Sequence, residues 1–344
     1  MVQRIEEIID VIGVPILVFN RALTLKYFNK SAVRLLPSIQ KNLAAEAVFN
    51  SKTISTQILE CIKLGNILDQ KIRYKTENST EISVDIHDFT DNDEKVAFVT
   101  LRDLTPLKEA KAMRSDFVAN VSHEIRSPLT AISGFIETLQ GPAGDDIDKR
   151  SKFLSVVEKE TQRVTNLVAD LLSLSQVEAK EKRSISTMVD PNILLQGAFD
   201  AMQPFATAAN KQLKLNIHNV LPQLSGNQEN LHRVLVNLIE NAINYSDDEQ
   251  TISIEVALTE NENDFALPAL KISIVDRGVG IDPNEIPRLT ERFYRVDKSR
   301  SRNKGGTGLG LAIVKHILVR HKGALTIDSI KGEGSSFNVF LPLN

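Results

Sequence analysis

Cysteine is almost missing from this 344-residue chain: Cys61 stands alone. That excludes an intrachain disulfide and any thiolate-cluster metal site, and it fits a reducing compartment. Long apolar runs are missing too. The uncharged stretches at 11–20 and 127–136 reach only about ten residues, against the roughly 20 that a spanning helix needs, so no transmembrane segment is expected. The opening Met-Val-Gln-Arg-Ile-Glu-Glu lacks a basic region followed by an apolar core and a small-residue cleavage site, and so does not read as a secretory signal. Neither charge is in excess: 41 Lys and Arg against 44 Asp and Glu leave a net charge of −3. No global field therefore draws the chain to nucleic acid or to an anionic membrane. His87, His218, His232, His316 and His321 have no carboxylate or thiol partners at metal-ligand spacing and read as structural or surface residues. What remains is size. With 42% hydrophobic residues the chain is long enough for two or three domains, each with its own core.

The apolar pattern divides the chain. Residues 15–19 read as a buried strand, 23–28 as its hairpin partner and 29–36 as a helix. Residues 67–76, 81–89 and 95–101 are alternating or apolar runs separated by polar turns at 77–80 and 91–94. A small antiparallel sheet with helices is expected here. From Leu104 to Gln140 the period becomes helical, Gly141-Pro142-Ala143-Gly144-Asp145-Asp146 breaks it, and a second helix is expected over 148–178. A charged stretch at 178–183 marks a linker, after which helices alternate with strands at 251–258, 270–276, 324–330 and 336–341. The expected class is α+β and multidomain, with boundaries at 1–104, 105–180 and 187–344.

In the first long helix Val118, Val121, Ile125, Pro128, Ile132, Phe135 and Leu139 recur at spacings of three and four, the a/d seam of a bundle-forming helix. His123 falls at the f position, away from that seam, with Glu124 beside it. A neutral imidazole is a competent nucleophile, and an adjacent carboxylate can orient one ring N–H and take up its proton. The pair also has a plain reading, a solvated helical His-Glu. The second helix continues the seam with Val157, Val164, Leu167, Leu171 and Leu174; a lone hairpin leaves that stripe exposed, so two copies are expected to pair as a homodimeric four-helix bundle.

Further on, Leu231, Leu235, Leu238 and Ala242 form one helical face and leave Asn237, Asn241 and Asn244 on another. Asparagine carbonyl oxygens are hard ligands, suited to magnesium with nucleotide phosphates; the alternative is a solvated polar face. Strand 271–276 ends in Asp276, followed by Arg277-Gly278-Val279-Gly280. An acidic group there can accept a hydrogen bond from an adenine amino group while the glycine-bearing chain passes close to the base. Then Lys304-Gly305-Gly306-Thr307-Gly308-Leu309-Gly310-Leu311 joins a glycine-rich loop to a helix whose N-terminal N–H groups suit phosphate. A Rossmann fingerprint fails because Leu311 stands where its third glycine is needed, and no Gly-Lys-Ser/Thr makes a P-loop.

The segment Phe117-Val118-Ala119-Asn120-Val121-Ser122-His123-Glu124-Ile125-Arg126-Ser127-Pro128-Leu129-Thr130 resembles the phosphoacceptor box of sensor histidine kinases. The three later boxes, with Glu291-Arg292-Phe293-Tyr294-Arg295 and Gly332-Glu333-Gly334, resemble the Bergerat ATP-binding domain of that family. Residues 16–32 resemble a PAS sensor domain, and the wording around Arg102-Asp103-Leu104-Thr105-Pro106 is similar to phosphate-regulon sensor kinases. The resemblance implies an α/β sandwich that binds ATP and Mg2+, autophosphorylation of His123 assisted by Glu124, and transfer to an aspartate of a response regulator receiver domain. It implies that Asn241 holds magnesium with help from Asn237, Tyr245 packs on adenine and Asp276 recognises its amino group. Gly278 and Gly280 keep the chain near the base, while Gly306, Gly308 and Gly310 permit a phosphate-facing lid. Phe293 closes that lid, and Arg295, Lys298 and Arg302 are cationic candidates for the phosphates. Two positions depart from the family: Asn244 stands where Lys or Arg is common. Ser127 stands where Thr or Asn orients a hydrolytic water, which puts phosphatase activity in doubt. The chain is expected to be cytoplasmic, unless an anchor lies upstream. Two alternatives are an ATPase that uses nucleotide only to drive conformational change and a non-catalytic scaffold; the His123-Glu124 helix opposes the first and the full set of nucleotide boxes the second.

Overall fold

The computed structural model describes residues 9–64, 72–75, 81–91, 94–179, 187–217, 221–260, 268–296 and 306–343. The chain forms two compact units, residues 1–118 and 119–344.

The first unit is built on a five-stranded antiparallel sheet in the order β2-β1-β5-β4-β3. Its strands are β1 (Ile16–Phe19), β2 (Leu25–Phe28), β3 (Ile72–Lys75), β4 (Glu81–Asp91) and β5 (Glu94–Asp103), joined through the short helices α1 (Lys30–Leu35) and α2 (Ala45–Phe49) and the longer α3 (Lys52–Leu64). Period-two alternation puts Leu17, Phe19, Val84, Val99 and Leu101 on one face, where they meet Ile54, Ile58 and Ile62, spaced by fours along α3. Truncating one of these isoleucines to alanine costs about 2–5 kcal/mol in a core of this kind. Asn29 ties the segments together. Its Oδ1 accepts from Ile16 N–H at 3.0 Å and Ala32 N–H at 2.9 Å, the latter capping α1, while its Nδ2 reaches the carbonyl of Val14 at 2.7 Å.

The second unit holds most of α4 (Thr105–Gln140), then α5 (Ile147–Ala179), β6 (Met188–Val189), α6 (Pro191–Ala208), β7 (Gln212–Ile217), β8 (Leu224–Ser225) and α7 (Gln228–Tyr245). After these come β9 (Thr251–Thr259), β10 (Ala269–Asp276), α8 (Gly310–Arg320), β11 (Ala324–Ile330) and β12 (Gly334–Pro342). The sheet order is β11-β12-β10-β9-β7, with β7 and β9 parallel and the other neighbours antiparallel. One face buries Ile252, Ile254, Ile272, Ile274, Phe337 and Val339, and α6, α7 and α8 pack together on it. This is a two-layer α/β sandwich beside a long helical hairpin. Among the described residues no helix is long and apolar enough to cross a membrane.

The expected strands and the two long helices lie within a few residues of their positions, except that residues 67–71 and 76 of the expected run at 67–76 fall outside the described residues. Helices α2, α3 and α6 and the strands β6, β7 and β8 had no counterpart among the expected spans. The turn at 77–80, His218 and most of the expected linker at 178–183 fall outside the described residues. His321 is buried; its Nδ1 lies 2.7 Å from the Ile317 carbonyl and its Nε2 accepts from Asn227 N–H at 3.0 Å. Both ring nitrogens are thus engaged, and burial lowers its pKa.

Candidate active site

His123 and Ser127 lie one turn apart on α4, both exposed, while Pro128 on the opposite side is buried. The heptad register explains the division. Leu167 and Leu174 of the seam are buried, Ile125, Ile132 and Phe135 half-buried, and the Phe135 and Phe153 rings pack at 5.3 Å between the two helices. From Val121 onward the seam is therefore partly or fully covered within one chain, while Val118 at its start is 58% exposed. What stays bare is the neighbouring row: Leu129, Ile136 and Val168, each following a seam residue by one position, and Leu154, which follows Phe153, are 42–52% exposed.

Glu124 does not stand free beside His123. Its Oε2 accepts from Arg163 Nη2 of α5 at 2.8 Å and faces Arg295 Nη2 at 3.4 Å. The two arginine side chains are only 11% and 7% exposed, so these pairs are screened far less than surface ion pairs.

Arg295 also lines a cavity of about 450 Å³, a size suited to a small-molecule ligand. Helix α7 forms one wall. Asn227 caps its start by accepting from Asn230 N–H at 2.9 Å. Leu231, Val234, Leu235, Leu238 and Ala242 turn into the core, which leaves Asn237, Glu240, Asn241, Asn244 and Tyr245 facing the cavity. Opposite stand Asp276 and Gly280 after β10, with Gly306, Gly308 and Gly310 along the loop into α8. Asn237 Nδ2 is buried and has no hydrogen-bond partner among the described residues. A donor so placed suits a ligand that accepts hydrogen bonds.

Asp276 is 5% exposed. Burial pushes its pKa up to about 6, with the Ser335 and Gly278 N–H groups and the Lys211 ammonium holding it down and Asp247 adding to the rise. Glu240 is also raised, first by burial and then by the charge of Asp170. That second carboxylate enters from α5: Asp170 Oδ1 accepts from Arg233 Nη2 at 2.9 Å and Oδ2 from Thr307 Oγ1 at 2.7 Å.

Two glycines are required by the backbone around them. A Cβ on Gly278 would stand 2.1 Å from the Tyr245 carbonyl oxygen, where the bridge between Ser246 and Gly278 sews α7 to the end of β10. Gly308 has φ +73°, and a Cβ there would meet the Phe293 backbone at 2.9 Å. Neither Gly278 nor Phe293 lines the cavity. Phe293 has φ 64° and donates its N–H to the Gly308 carbonyl at 2.8 Å, so its backbone shapes the loop that the glycines form. Lys298 and Arg302 lie outside the described residues.

Residues 226–344 match the family described as histidine kinase-, DNA gyrase B- and HSP90-like ATPase, and residues 113–180 match the His Kinase A (phospho-acceptor) domain. Over 347 residues the chain is 30% identical to the sensor protein kinase WalK of Staphylococcus aureus, covering 99% of this chain and 81% of that protein. The chain belongs to the sensor histidine kinase family. It is 40% identical over 237 residues to the phosphate regulon sensor protein PhoR of Pseudomonas aeruginosa, covering 69% of this chain and 52% of PhoR. It thus spans about half the length of that relative, and 55% of the WalK protein of Staphylococcus saprophyticus. Among solved structures, the histidine kinase ThkA in complex with the response regulator protein TrrA aligns over 96% of each chain at a TM-score of 0.55 and 18% identity, a likeness of fold.

In this family setting the cavity lies chiefly within the ATPase match, with Asn166, Ala169 and Asp170 entering from the phospho-acceptor match, which also holds His123. Sequence reasoning missed Glu240, Asp170 and Arg163. Glu240 carried a signal, since it falls three residues after Asn237 and so on the same helical face. Asp170 and Arg163 carried none, because their partners lie far along the chain.

Proposed function

We propose that this chain transfers the γ-phosphoryl group of ATP to His123 and from there to an aspartate of a response regulator receiver domain. The observation that carries the reading is Arg295, which lines the cavity and at the same time meets the carboxylate next to His123. One side chain thus links the nucleotide site to the nucleophile's neighbour. A ring nitrogen of His123 attacks the γ-phosphorus, the bond to the bridging oxygen breaks, and ADP leaves. The imidazole proton passes to Glu124. Both guanidiniums engage Oε2, which leaves Oε1 as the oxygen for the imidazole. In the second step a receiver carboxylate attacks the phosphorus, the P–N bond breaks, and the imidazole regains a proton.

ATP is held with adenine against Tyr245 and Asp276 and its phosphates toward Gly306, Gly308 and Gly310, with Arg295, Lys298 and Arg302 supplying positive charge. Asn237 and Asn241 suit Mg2+ through their amide oxygens, which are hard donors, and the ion would neutralise phosphate charge when bound; the Asn237 Nδ2 group is instead a donor suited to a phosphate oxygen. Leu129, Ile136, Leu154 and Val168 support a homodimer, since an exposed apolar row on both helices is relieved by a second copy. We read residues 1–104 as a PAS-like sensor, 105–180 as the dimerisation and phosphotransfer hairpin and 187–344 as the catalytic domain. The use of ATP places the chemistry in the cytoplasm, and similarity to PhoR favours a role in phosphate regulation.

The test is incubation of the purified chain with γ-labelled ATP and magnesium. Acid-labile, base-stable label supports phosphohistidine; released phosphate alone, or neither product, defeats the reading.

A further inference from the structure

We propose that Lys211 is a positioning residue of the nucleotide cavity: its buried ammonium ties off the end of α7 and so sets Asn244, Tyr245 and Asp276 against the base. The inference rests on the ATP reading above and adds a residue outside every motif that carries it.

Lys211 sits between α6 and β7 and is 8% exposed. Its own backbone is fixed from both sides. The Lys211 N–H donates to the Ala206 carbonyl at 2.9 Å, and Gln212 N–H donates to Gln250 at 3.1 Å. From this anchor Nζ donates to the carbonyl of Ile243 at 2.5 Å and of Ser246 at 2.7 Å. The last carbonyls of a helix have no intrahelical donor, and they carry the negative end of its dipole. A cation placed there satisfies both needs, and hydrogen bonds from a charged donor are stronger than neutral ones.

The position matters because Ile243 and Ser246 bracket Asn244 and Tyr245, two residues of the cavity wall. Ser246 also pairs with Gly278, and Asp247 N–H donates to the Arg277 carbonyl at 3.1 Å. Lys211 thus holds the junction through which α7 and the end of β10 are joined, with Asp276 on its far side. The charged groups around Asp276 are Lys211 from the α6–β7 connection, Asp247 after α7 and Arg277 next along its own segment. Lys211 therefore does two things: it fixes the backbone, and it favours the ionised carboxylate that accepts from an adenine amino group.

The experiment titrates the β,γ-imido analogue of ATP, with magnesium, into the full chain and into Lys211→Gln and Lys211→Arg between pH 5 and 9, with circular dichroism to confirm folding. Lys211→Gln keeps a donor but loses the charge. It is expected to weaken binding at neutral pH by roughly tenfold and to move the midpoint of the pH profile up by about one unit. Lys211→Arg keeps the charge and is expected to bind a few-fold more weakly with an unmoved midpoint. A folded Gln variant with wild-type affinity, or one equally weakened at every pH, overturns the proposal. Should the Gln variant fail to fold, the Arg variant decides: a shifted midpoint overturns it, and weakened binding at the wild-type midpoint supports it. A wild-type chain that does not bind the analogue overturns the ATP reading itself, and this proposal with it.

Discussion

His123 and Asp276 belong to one compact unit but are presented in opposite ways. His123 stands on the solvent side of an unbroken helix, where its neighbours in space are largely its neighbours in sequence. Asp276 sits at the back of a cavity whose walls come from α5, α7, the end of β10 and the loop into α8. An exposed nucleophile can be deleted without disturbing what lies beneath it. A buried carboxylate cannot, because its ionisation is coupled to folding.

The largest expected effect follows from that separation. His123→Gln should abolish acid-labile label while leaving affinity for the imido analogue of ATP unchanged. Label retained in this variant would move the phosphoacceptor elsewhere, and lost nucleotide affinity would show that the two regions are not independent.

Glu124→Gln comes next, with labelling slowed by roughly 10² to 10⁴, the range for a positioned general base. The amide still accepts from Arg163 and Arg295 through its oxygen but no longer neutralises these two buried guanidiniums, so melting should come somewhat earlier, and labelling is compared at a temperature where both proteins are folded. An unchanged rate would reduce Glu124 to a tether for the two arginines.

Asp276→Asn tests the buried side. Affinity for the ATP analogue should fall by roughly 10- to 100-fold, the worth of a hydrogen bond to a charged group. Stability should move the other way. Since the folded pKa is raised to about 6 from an ordinary 3.8, the folded chain holds this proton more tightly than the unfolded chain, and its ionisation costs stability. The cost is absent below the unfolded value, grows between the two values and is complete above pH 6. Melting of nucleotide-free protein should therefore show the variant gaining on wild type as pH rises through that window and holding its gain above it. Equal melting curves at pH 4 and pH 7.5 would show that burial of Asp276 is not what sets its pKa.

The same contrast explains what the sequence disclosed. The His123 register, the Asn-bearing face of α7 and the Asp276 turn are local patterns, readable because helices and strands repeat with fixed periods. Gly278 was legible as a glycine but not for its cause, which is the Tyr245 carbonyl on a segment over thirty residues earlier. Asp170, Arg163 and Lys211 are legible only in three dimensions. Each is an ordinary charged residue in its own stretch and gains meaning from a partner that the fold brings up. Helix α3 was missed although Ile54, Ile58 and Ile62 share one face, because β-branched residues favour strands and here the packing overrides that preference.

The smallest expected effect returns to the exposed helix. Ser127 lies one turn after His123 and is exposed, where its hydroxyl can orient a water attacking the phospho-aspartate of a docked regulator. Serine lacks the methyl that restricts threonine's χ1, so this water is held less firmly than threonine would hold it. Dephosphorylation of a purified phospho-regulator, with ADP present, should therefore be weak in wild type, faster in Ser127→Thr and slower in Ser127→Ala. The loss in Ser127→Ala should be about fivefold, the worth of one hydrogen bond near 1 kcal/mol, and the gain in Ser127→Thr, which only restricts χ1, should be smaller. Autophosphorylation should stay level across all three, because the hydroxyl takes no part in the attack of His123 on ATP. Equal dephosphorylation rates would exclude the hydroxyl from the hydrolytic step. A parallel change in autophosphorylation would mean that Ser127 acts instead through the helix that carries His123.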